Sequence, residues 1–335
     1  MTTLYIDRNN LELRLEGGAL TCYEDGQRVG TIPTAPLERV VMRGTAKVET
    51  QAIAKLGSLD VGVIFLFGRR HEPVLFLPRP HNDALIRIHQ CVLSRNPEAC
   101  RLVAVDILQT KIEAQRQFLQ SRADALKDTA PKALVAATDN LRKLWPLIDA
   151  KASEPAIRGV EGRAARVYFE GLTALFPAEL GFTGRNRKPP RDPVNAALSL
   201  SYVLLYADAA IAAHQAGLDP FVGFLHKPEF GRHSLACDLM EPARPLVDRF
   251  VLDLFESGFF TLKSFSTTDA GCFISKNARS VFYPAFEKAA SEWRGMLAKR
   301  ARKLADDILT YAKEHWFFHR YLHEHVLHLT PPGSH

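Results

Sequence analysis

The sequence has 335 residues, of which 47% are hydrophobic and 24% are charged, a composition typical of a globular chain long enough for about two domains. This composition argues against a largely disordered chain. The formal net charge is +6, from 43 Lys and Arg against 37 Asp and Glu. Such a moderate excess permits an anionic partner such as nucleic acid without requiring one.

The cysteines and the N-terminus point to a cytoplasmic protein. The five cysteines are odd in number and form no CxxC pair, which favours buried thiols in a reducing compartment over a disulfide framework. The opening MTTLYIDRNN lacks the basic and apolar regions of a signal peptide. No apolar run approaches the roughly 18 to 20 residues that a membrane span requires. We therefore predict a cytoplasmic location.

Short β-rich runs fill residues 2–77 and predict a small N-terminal β-sheet domain over residues 1–80. Gly17-Gly18 and Asp25-Gly26 lie between runs, where two-residue hairpin loops need positive φ. A meander is therefore expected at the start of the chain. Thr50 is expected to cap one short helix before the apolar strand at 63–67.

From residue 84 onward the periodicity predicts helices, and no later run alternates convincingly. The fold class is therefore α+β, with the β-sheet domain followed by an all-helical domain over residues 84–330. Asn82 or Asp83 is expected to cap its first helix. The apolar run after Asp192-Pro193 predicts a central bundle helix that Gly217 ends. A final helix is expected from about Phe286 to His323.

The segment 217–249 is the strongest candidate for chemistry because it gathers His226, Asp238 and Glu241 among several Gly and Pro residues. An imidazole nitrogen and carboxylate oxygens suit Mg²⁺ or Mn²⁺ better than a thiol-rich zinc site does. Asp238 and Glu241 are three positions apart, so a helical turn would bring their carboxylates to one face. Glu161, on a helix predicted over 157–176, is the candidate for the missing ligand.

Each of these residues also has a purely structural interpretation. Glu241 could cap a helix that begins at Pro242, and His226 could satisfy a hydrogen bond in the core. Glu161 could be a helix N-terminal acid that the helix dipole stabilises.

Four runs carry a family resemblance: GVEGRAARVYFEGL, PVNAALSLSYVLLYADAA, GLDPFVGFLHKP and SLACDLMEPARPLVD. In order and spacing they resemble the metal-dependent endonuclease and integrase of CRISPR adaptation, the subunit that inserts new spacers into the repeat array. The four runs span about 100 residues of the helical domain. A β-domain followed by a helical domain agrees with this family over the whole length.

The resemblance implies that Glu161, His226 and Glu241 are catalytic ligands of Mg²⁺ or Mn²⁺, and that Asp238 is a catalytic carboxylate beside them. Many relatives carry aspartate where this chain has Glu241. Arg244 is similar in placement to a basic residue that faces the active centre in relatives. The family further implies a homodimer through the β-domains and a small ferredoxin-like partner subunit that bridges two dimers.

Phosphodiester chemistry agrees with this set of residues, because a bound cation polarises the phosphoryl group and offsets charge on the leaving oxygen. DNA must also be held, chiefly by Lys and Arg at its phosphates. The first candidates for DNA binding are four basic residues of one loop, Arg185, Arg187, Lys188 and Arg191. A second basic cluster lies in the last helix, at Lys299, Arg300, Arg302 and Lys303.

The C-terminal histidines His315, His319 and His323 recur every four residues and could form a metal stripe, although Trp316 and Phe317 favour packing. The predicted function is insertion of new spacers by phosphodiester transesterification on DNA (protospacer and CRISPR repeat). Two alternatives remain open: a structure-selective nuclease acting on branched repair intermediates, and a non-catalytic nucleic-acid-binding scaffold whose acids are helix caps.

Overall fold

The computed structural model describes residues 2–66, 73–78, 83–149, 151–186 and 189–314, with side chains to residue 311 in the last range. The N-terminal part is β-rich, as predicted. Its elements are β1 (Thr2–Asp7), β2 (Leu11–Glu16), β3 (Ala19–Glu24), β4 (Gln27–Pro33), β5 (Leu37–Arg43), β6 (Ala46–Val48), α1 (Thr50–Ser58), β7 (Gly62–Leu66) and β8 (Pro73–Phe76).

These strands form two four-stranded sheets, of order β1-β5-β7-β8 and β4-β3-β2-β6. Only β2, β3 and β4 form the expected meander, through turns in which Gly17, Gly18, Asp25 and Gly26 all have positive φ. β1 instead pairs in parallel with β5, which in turn pairs in parallel with β7. The buried run Val40 to Met42 suits such a central strand, which is covered on both faces. β6 was not predicted.

The cap of α1 differs from the prediction. Thr50 is the first helical residue, and Glu49 occupies the N-cap without a side-chain capping bond. The Glu49 carboxylate instead accepts a hydrogen bond from the Leu15 backbone N–H at 2.8 Å. α1 is therefore tied to β2 rather than capped by its own side chain.

The rest of the described chain is mainly helical, which confirms the α+β class. Its elements are α2 (Ala84–Leu93), α3 (Pro97–Leu126), α4 (Lys132–Leu144), α5 (Glu154–Thr173), α6 (Pro193–Gln215), α7 (Ser234–Met240), α8 (Arg244–Glu256), β9 (Phe265–Thr268), β10 (Gly271–Ile274) and α9 (Lys276–Glu314).

Two predictions about this part were wrong. The strands β9 and β10 form an antiparallel hairpin among the helices, although no alternating run was expected there. The last helix begins at Lys276 and continues through Pro284 instead of starting near Phe286. Its expected end at His323 lies outside the described residues, as do the histidines 315, 319 and 323.

α6 is the central helix, as predicted, and it begins where Asp192 accepts a hydrogen bond from the Asn195 N–H. Gly217 follows its end with φ of +82°. Among the described helices, α6 alone is long and apolar enough to cross a membrane, contrary to the expectation that no run approaches this length. However, 83% of its apolar window is buried inside the protein. α6 is therefore a core helix.

An ion-pair network joins the β-rich part to the helices. Asp208 of α6 lies 3.0 Å from Nε of Arg39 on β5 and 2.9 Å from Nε of Arg294 on α9. Arg294 also pairs with Glu287, which accepts a hydrogen bond from the hydroxyl of Tyr5 on β1 at 2.6 Å. The core of the helical part also includes Val41, Ile64 and Leu66 from the first sheet. This sheet therefore packs directly on the helices.

Candidate active site

Glu161 lies in the middle of α5, at the edge of an apolar stripe. The helix begins at Glu154, where the Ser153 hydroxyl accepts a capping hydrogen bond from Ala156 N–H. Val160 and Ala164 are buried, whereas the Glu161 side chain keeps 24% of its surface exposed. Glu161 is two turns from the helix start, so it is not the dipole-stabilised N-terminal acid of the structural alternative.

His226 is held by the carboxylate of Asp238. Oδ1 of Asp238 accepts hydrogen bonds from the His226 backbone N–H at 2.8 Å and from its Nδ1 at 2.7 Å. Oδ2 accepts from the backbone N–H groups of Phe224 and Leu225, at 2.6 and 3.1 Å. Because Nδ1 faces this carboxylate and acts as the donor, Nε2 is the ring nitrogen left to bind a metal ion. The His226 side chain is 28% exposed. This exposure argues against the structural alternative in which His226 only satisfies a hydrogen bond in the core.

The loop before α7 can close in this way only because residue 223 has no side chain. A Cβ at Gly223 would lie 2.5 Å from the His226 carbonyl oxygen and 2.8 Å from Ser234 backbone carbon. Gly231, with φ of +74°, turns the chain back toward α7. The turn-rich composition of this segment thus serves to wrap the backbone around Asp238.

Asp238 is fully buried, and each of its two oxygens accepts two hydrogen bonds. It therefore does not share a cation with Glu241 in this arrangement, although the two residues are three positions apart. Its contacts make it the group that orients His226.

Glu241 begins the short 3₁₀ turn Glu241–Ala243 between α7 and α8, and it is buried. Its side chain caps neither element, so the capping interpretation is wrong. Instead, Oε2 lies 2.6 Å from Nζ of Lys111, and Oε1 accepts a hydrogen bond from Nε of Arg244 at 2.8 Å. Both oxygens of Glu241 therefore face cationic groups.

Lys111 of α3 brings two of the predicted ligands together, and sequence reasoning missed it. Its ammonium lies 2.6 Å from Glu241 and 3.6 Å from Oε1 of Glu161, and the residue is only 8% exposed. Lys111 and the buried Gln115 interrupt the apolar stripe of α3 at inward positions. A lysine at such a position needs an acidic partner, which was the available signal.

The charges around Glu241 keep it ionised. Burial alone would raise the pKa of this carboxyl, but Arg244, Lys111 and the nearby His226 outweigh burial and lower the pKa to about 2. Glu241 is thus an ionised carboxylate held between Lys111 and Arg244, and it shares the ammonium of Lys111 with Glu161.

This donor set fits a divalent cation chemically, since oxygen and imidazole ligands suit Mg²⁺ and Mn²⁺. The ammonium of Lys111 already bridges the two glutamates, which marks a position that attracts a cation. Within the described ranges, however, no three His, Cys, Asp or Glu side chains lie close enough together to form a ready-made metal site.

Arg244 is built into a buried polar network beside the site. Its guanidinium lies 4.8 Å from the centre of the Tyr202 ring. The hydroxyls of Tyr202 and Tyr168 both donate to the carboxylate of Asp248, which is 1% exposed. Burial raises the pKa of Asp248 to about 6. Asp248 thus anchors the tyrosine on which Arg244 lies, a role that the sequence did not indicate.

The loop predicted to bind DNA is partly turned inward. Arg185 donates to Oδ1 of Asn195 at 2.7 Å and to the Ser199 hydroxyl at 3.1 Å, so it braces the start of α6. Arg191 is exposed. Arg187 and Lys188 lie outside the described residues.

Comparison with known proteins identifies the family. The model of the family described as CRISPR associated protein Cas1 matches residues 4–288. This chain belongs to the Cas1 family. A CRISPR-associated endonuclease Cas1 of Thermodesulfovibrio yellowstonii is 36% identical, over 92% of this chain and 98% of the relative. One from Thermus thermophilus is 34% identical over 87% of each chain. The predicted membership in the CRISPR adaptation endonuclease family is confirmed.

Solved structures confirm the fold of this Cas1 family member. A Cas1 protein from Thermotoga maritima aligns with a TM-score of 0.80 at 23% identity, covering 92% of this chain and 97% of that one. A casposase bound to its integration product also has a TM-score of 0.80, at 21% identity over 93% and 91% of the two chains. The β-rich part and the helical part thus follow an architecture shared with both proteins.

Proposed function

We propose that this Cas1 family member is a metal-dependent DNA endonuclease and integrase that inserts new spacers into a CRISPR repeat array. The observation that carries the metal dependence is the pair Glu161 and Glu241, which share the ammonium of Lys111. The ring of His226 is oriented separately by Asp238. We assign Glu161, His226 and Glu241 as the metal ligands, with Mg²⁺ or Mn²⁺ as the ion. Asp238 acts by orienting His226.

When bound, the ion would polarise the phosphoryl oxygen and offset charge on the leaving oxygen. The chain's own groups supply the position for it. Asp238 fixes the His226 ring so that Nε2 faces away from the buried carboxylate. Arg244, which lies over the Tyr202 ring, holds Oε1 of Glu241, whereas Oε2 faces the ammonium of Lys111. Lys111 also contacts Glu161, so one cation holds both carboxylates before DNA arrives.

In integration, the 3′-hydroxyl of the incoming strand attacks a phosphorus at the repeat boundary. A new phosphorus–oxygen bond forms while the bond to the 3′-oxygen of the cut strand breaks. The attacking hydroxyl loses its proton and the leaving 3′-oxygen gains one, so the number of phosphodiester bonds is unchanged. In cleavage, water replaces the 3′-hydroxyl as the nucleophile. One site therefore serves both reactions.

DNA is the proposed substrate, and the basic residues Arg185, Arg187, Lys188, Arg191 and Arg244 are proposed to contact it or to position groups that do. Among these, the exposed Arg191 is the best supported surface contact, because Arg185 is bonded internally. Related folds occur in structures described as a Cas1–DNA complex and a Cas6-RT-Cas1–Cas2 complex, with TM-scores of 0.56 and 0.76. These neighbours support DNA and a protein partner for this chain.

We further propose two functional regions, residues 1–80 for dimerisation and 84–330 for catalysis. The partner would be a small ferredoxin-like subunit bridging two homodimers in the cytoplasm. The scaffold alternative loses its main support, because neither the Glu161 nor the Glu241 side chain caps the N-terminus of a helix.

Strand transfer of a labelled duplex with a 3′-hydroxyl into a repeat-containing plasmid tests the function. Activity should require Mg²⁺ or Mn²⁺ and disappear with EDTA. Glu161→Gln, His226→Ala and Glu241→Gln should each lose at least about 100-fold, more than is usual for groups outside the ligand set. Glu170→Gln, an exposed acid on α5, is the matched control and should retain wild-type activity. Full activity of all three site variants would refute the proposal. Cleavage of branched DNA without strand transfer would favour the repair nuclease.

A further inference from the structure

We infer that Lys111 is an internal counter-cation that competes with the divalent ion for Glu241 and Glu161. This inference rests on the proposed metal site. Lys111 holds the two carboxylates together while the metal is absent and must leave Glu241 when the metal binds. It is therefore a positioning residue that sets the affinity of the site for metal.

The ammonium of Lys111 lies between the two glutamates in a buried position. Nζ of Lys111 lies 2.6 Å from Oε2 of Glu241 and 3.6 Å from Oε1 of Glu161. In the part of the chain that the structure describes, these glutamates are its ion-pair partners. The residue is 8% exposed and lies on α3 between the buried Leu108 and Ile112. The lysine is therefore not a surface charge that meets the acids by chance.

The two carboxylate oxygens of Glu241 differ in their accessibility to a metal ion. Oε1 accepts the hydrogen bond of Arg244, whose guanidinium is also held against the Tyr202 ring. Oε2 faces the ammonium of Lys111, which also lies 3.6 Å from Oε1 of Glu161. An ion that joins Glu161 to Glu241 through Oε2 therefore replaces the ammonium at this oxygen. Lys111 has a flexible four-carbon stem, so it can move away more easily than the stacked arginine.

The charges of the two glutamates require a cation between them. Two carboxylates brought together in a buried position repel each other unless a cation lies between them. Lys111 supplies this cation in the metal-free protein and so keeps the ligands assembled. Once a divalent ion is present, an ammonium at the same oxygen would be repelled by it. The ammonium of Lys111 and the divalent ion therefore compete for the same oxygen, and each lowers the affinity of the site for the other.

Direct titration of Mn²⁺ into the full-length protein without DNA tests this competition, with free Mn²⁺ followed by electron paramagnetic resonance. Lys111→Met removes the charge and keeps most of the stem, and we expect it to bind Mn²⁺ at least about 10-fold more tightly than wild type. Arg116→Met is the matched control, because Arg116 is a cation of the same helix that pairs with Glu113. It should change the affinity less than twofold. Unchanged or weaker binding by Lys111→Met would overturn the inference.

A second variant covers the case in which Lys111→Met does not fold. Lys111→Arg keeps the charge, and its planar fork can bind carboxylates through two hydrogen bonds. It should therefore bind Mn²⁺ more weakly than wild type, and equal or tighter binding would contradict the competition. Thermal unfolding adds an independent readout, since the rise in Tm caused by Mn²⁺ should be larger in Lys111→Met than in wild type.

The failure of this inference can be separated from failure of the proposed function. If Mn²⁺ binding is insensitive to Glu161→Gln and Glu241→Gln, the proposed metal site itself is wrong. If binding depends on both glutamates but not on the charge at position 111, the metal site stands and only the competition is refuted.

Discussion

Nδ1 of His226 lies 2.7 Å from Oδ1 of Asp238, and the same carboxylate accepts three backbone N–H groups from the loop that carries the histidine. One buried side chain thus sets both the path of the loop and the direction of the ring. Loop conformation and ligand orientation are consequently coupled, and a change at Asp238 affects both.

Asp238→Asn tests this coupling. The amide keeps the shape but replaces one acceptor oxygen with a donor, which leaves buried N–H groups of the loop without an acceptor. We expect Mn²⁺ affinity and strand transfer to fall about 10- to 100-fold, as is usual for groups that orient ligands. The free energy of unfolding should fall by about 1 to 3 kcal/mol. Asp306→Asn, at an exposed position of α9, should change none of these three quantities. Unaltered metal binding in Asp238→Asn would show that the ring needs no such support.

Gly223→Ala tests the packing of the same loop without changing any charge. The added Cβ would lie 2.5 Å from the carbonyl oxygen of His226 and 2.8 Å from the backbone carbon of Ser234, closer than real Cβ atoms approach. We expect lower stability and a loss of strand transfer that higher Mn²⁺ concentrations do not restore. Gly159→Ala is the control, because its Cβ would meet no neighbour within 4 Å. A helical glycine in open space should gain up to about 1 kcal/mol on becoming alanine.

Asp248 predicts a specific pH dependence of stability. Burial raises its pKa from 3.8 to about 6, so the folded protein keeps a proton there that the unfolded chain loses near pH 4. Folded protein thus binds more protons between about pH 4 and pH 6, and its free energy of unfolding falls as the pH rises through this range. Asp248→Asn removes this contribution. The stability of wild type relative to Asp248→Asn should therefore fall by about 1 to 3 kcal/mol between pH 4 and pH 7.

Urea unfolding of both proteins at the two pH values measures this difference. The constant loss caused by the altered hydrogen bonds to Tyr168 and Tyr202 cancels, since only the change with pH is compared. The exposed Asp269→Asn should show no comparable change. A gap between wild type and Asp248→Asn that stays constant with pH would mean that folding does not shift the pKa of Asp248.

Asp208→Asn should weaken the connection between the first sheet and the helices. The Asp208 carboxylate is buried between Arg39 and Arg294, whose side chains are each only 9% exposed. Removing the charge leaves Arg294 with Glu287 and Arg39 with Glu38 as the remaining partners. Breaking a buried pair outright typically costs about 3 to 5 kcal/mol, so with these partners retained we expect a loss of about 2 to 3 kcal/mol. Asp139→Asn breaks the exposed pair with Arg142 and should cost less than about 1 kcal/mol. Equal small effects in the two variants, measured by urea unfolding, would refute a structural role for the network.

Features set by local chemistry were predictable from sequence. The turns at Gly17-Gly18 and Asp25-Gly26 depend on φ preferences of the residues themselves, and the start of α6 depends on its own Asp192 and Pro193. Asp83 likewise caps α2, as one of the two predicted candidates. In each case the pattern and its structural result lie within a few residues of each other.

Features set by distant contacts were not predictable in this way. β9 was missed because its residues FSTT are largely exposed and only the opposing β10 is buried, so neither four-residue strand alternates. Lys111 has partners 50 and 130 positions later, and nothing in its own helix indicates which acids those are. The segment 217–249 suggested a cation site. Which acid orients His226 and which one faces Lys111 depends on how the loop closes, and the sequence alone does not give this.

The bond between Tyr5 and Glu287 joins positions 282 residues apart. At a translation rate of about 5 to 20 residues per second, roughly 15 to 60 seconds separate the synthesis of these two residues. During this interval β1 lacks the contacts that Tyr5 makes with Glu287 and Tyr283 of α9. The N-terminal strand therefore reaches its final environment only after α9 has been synthesised.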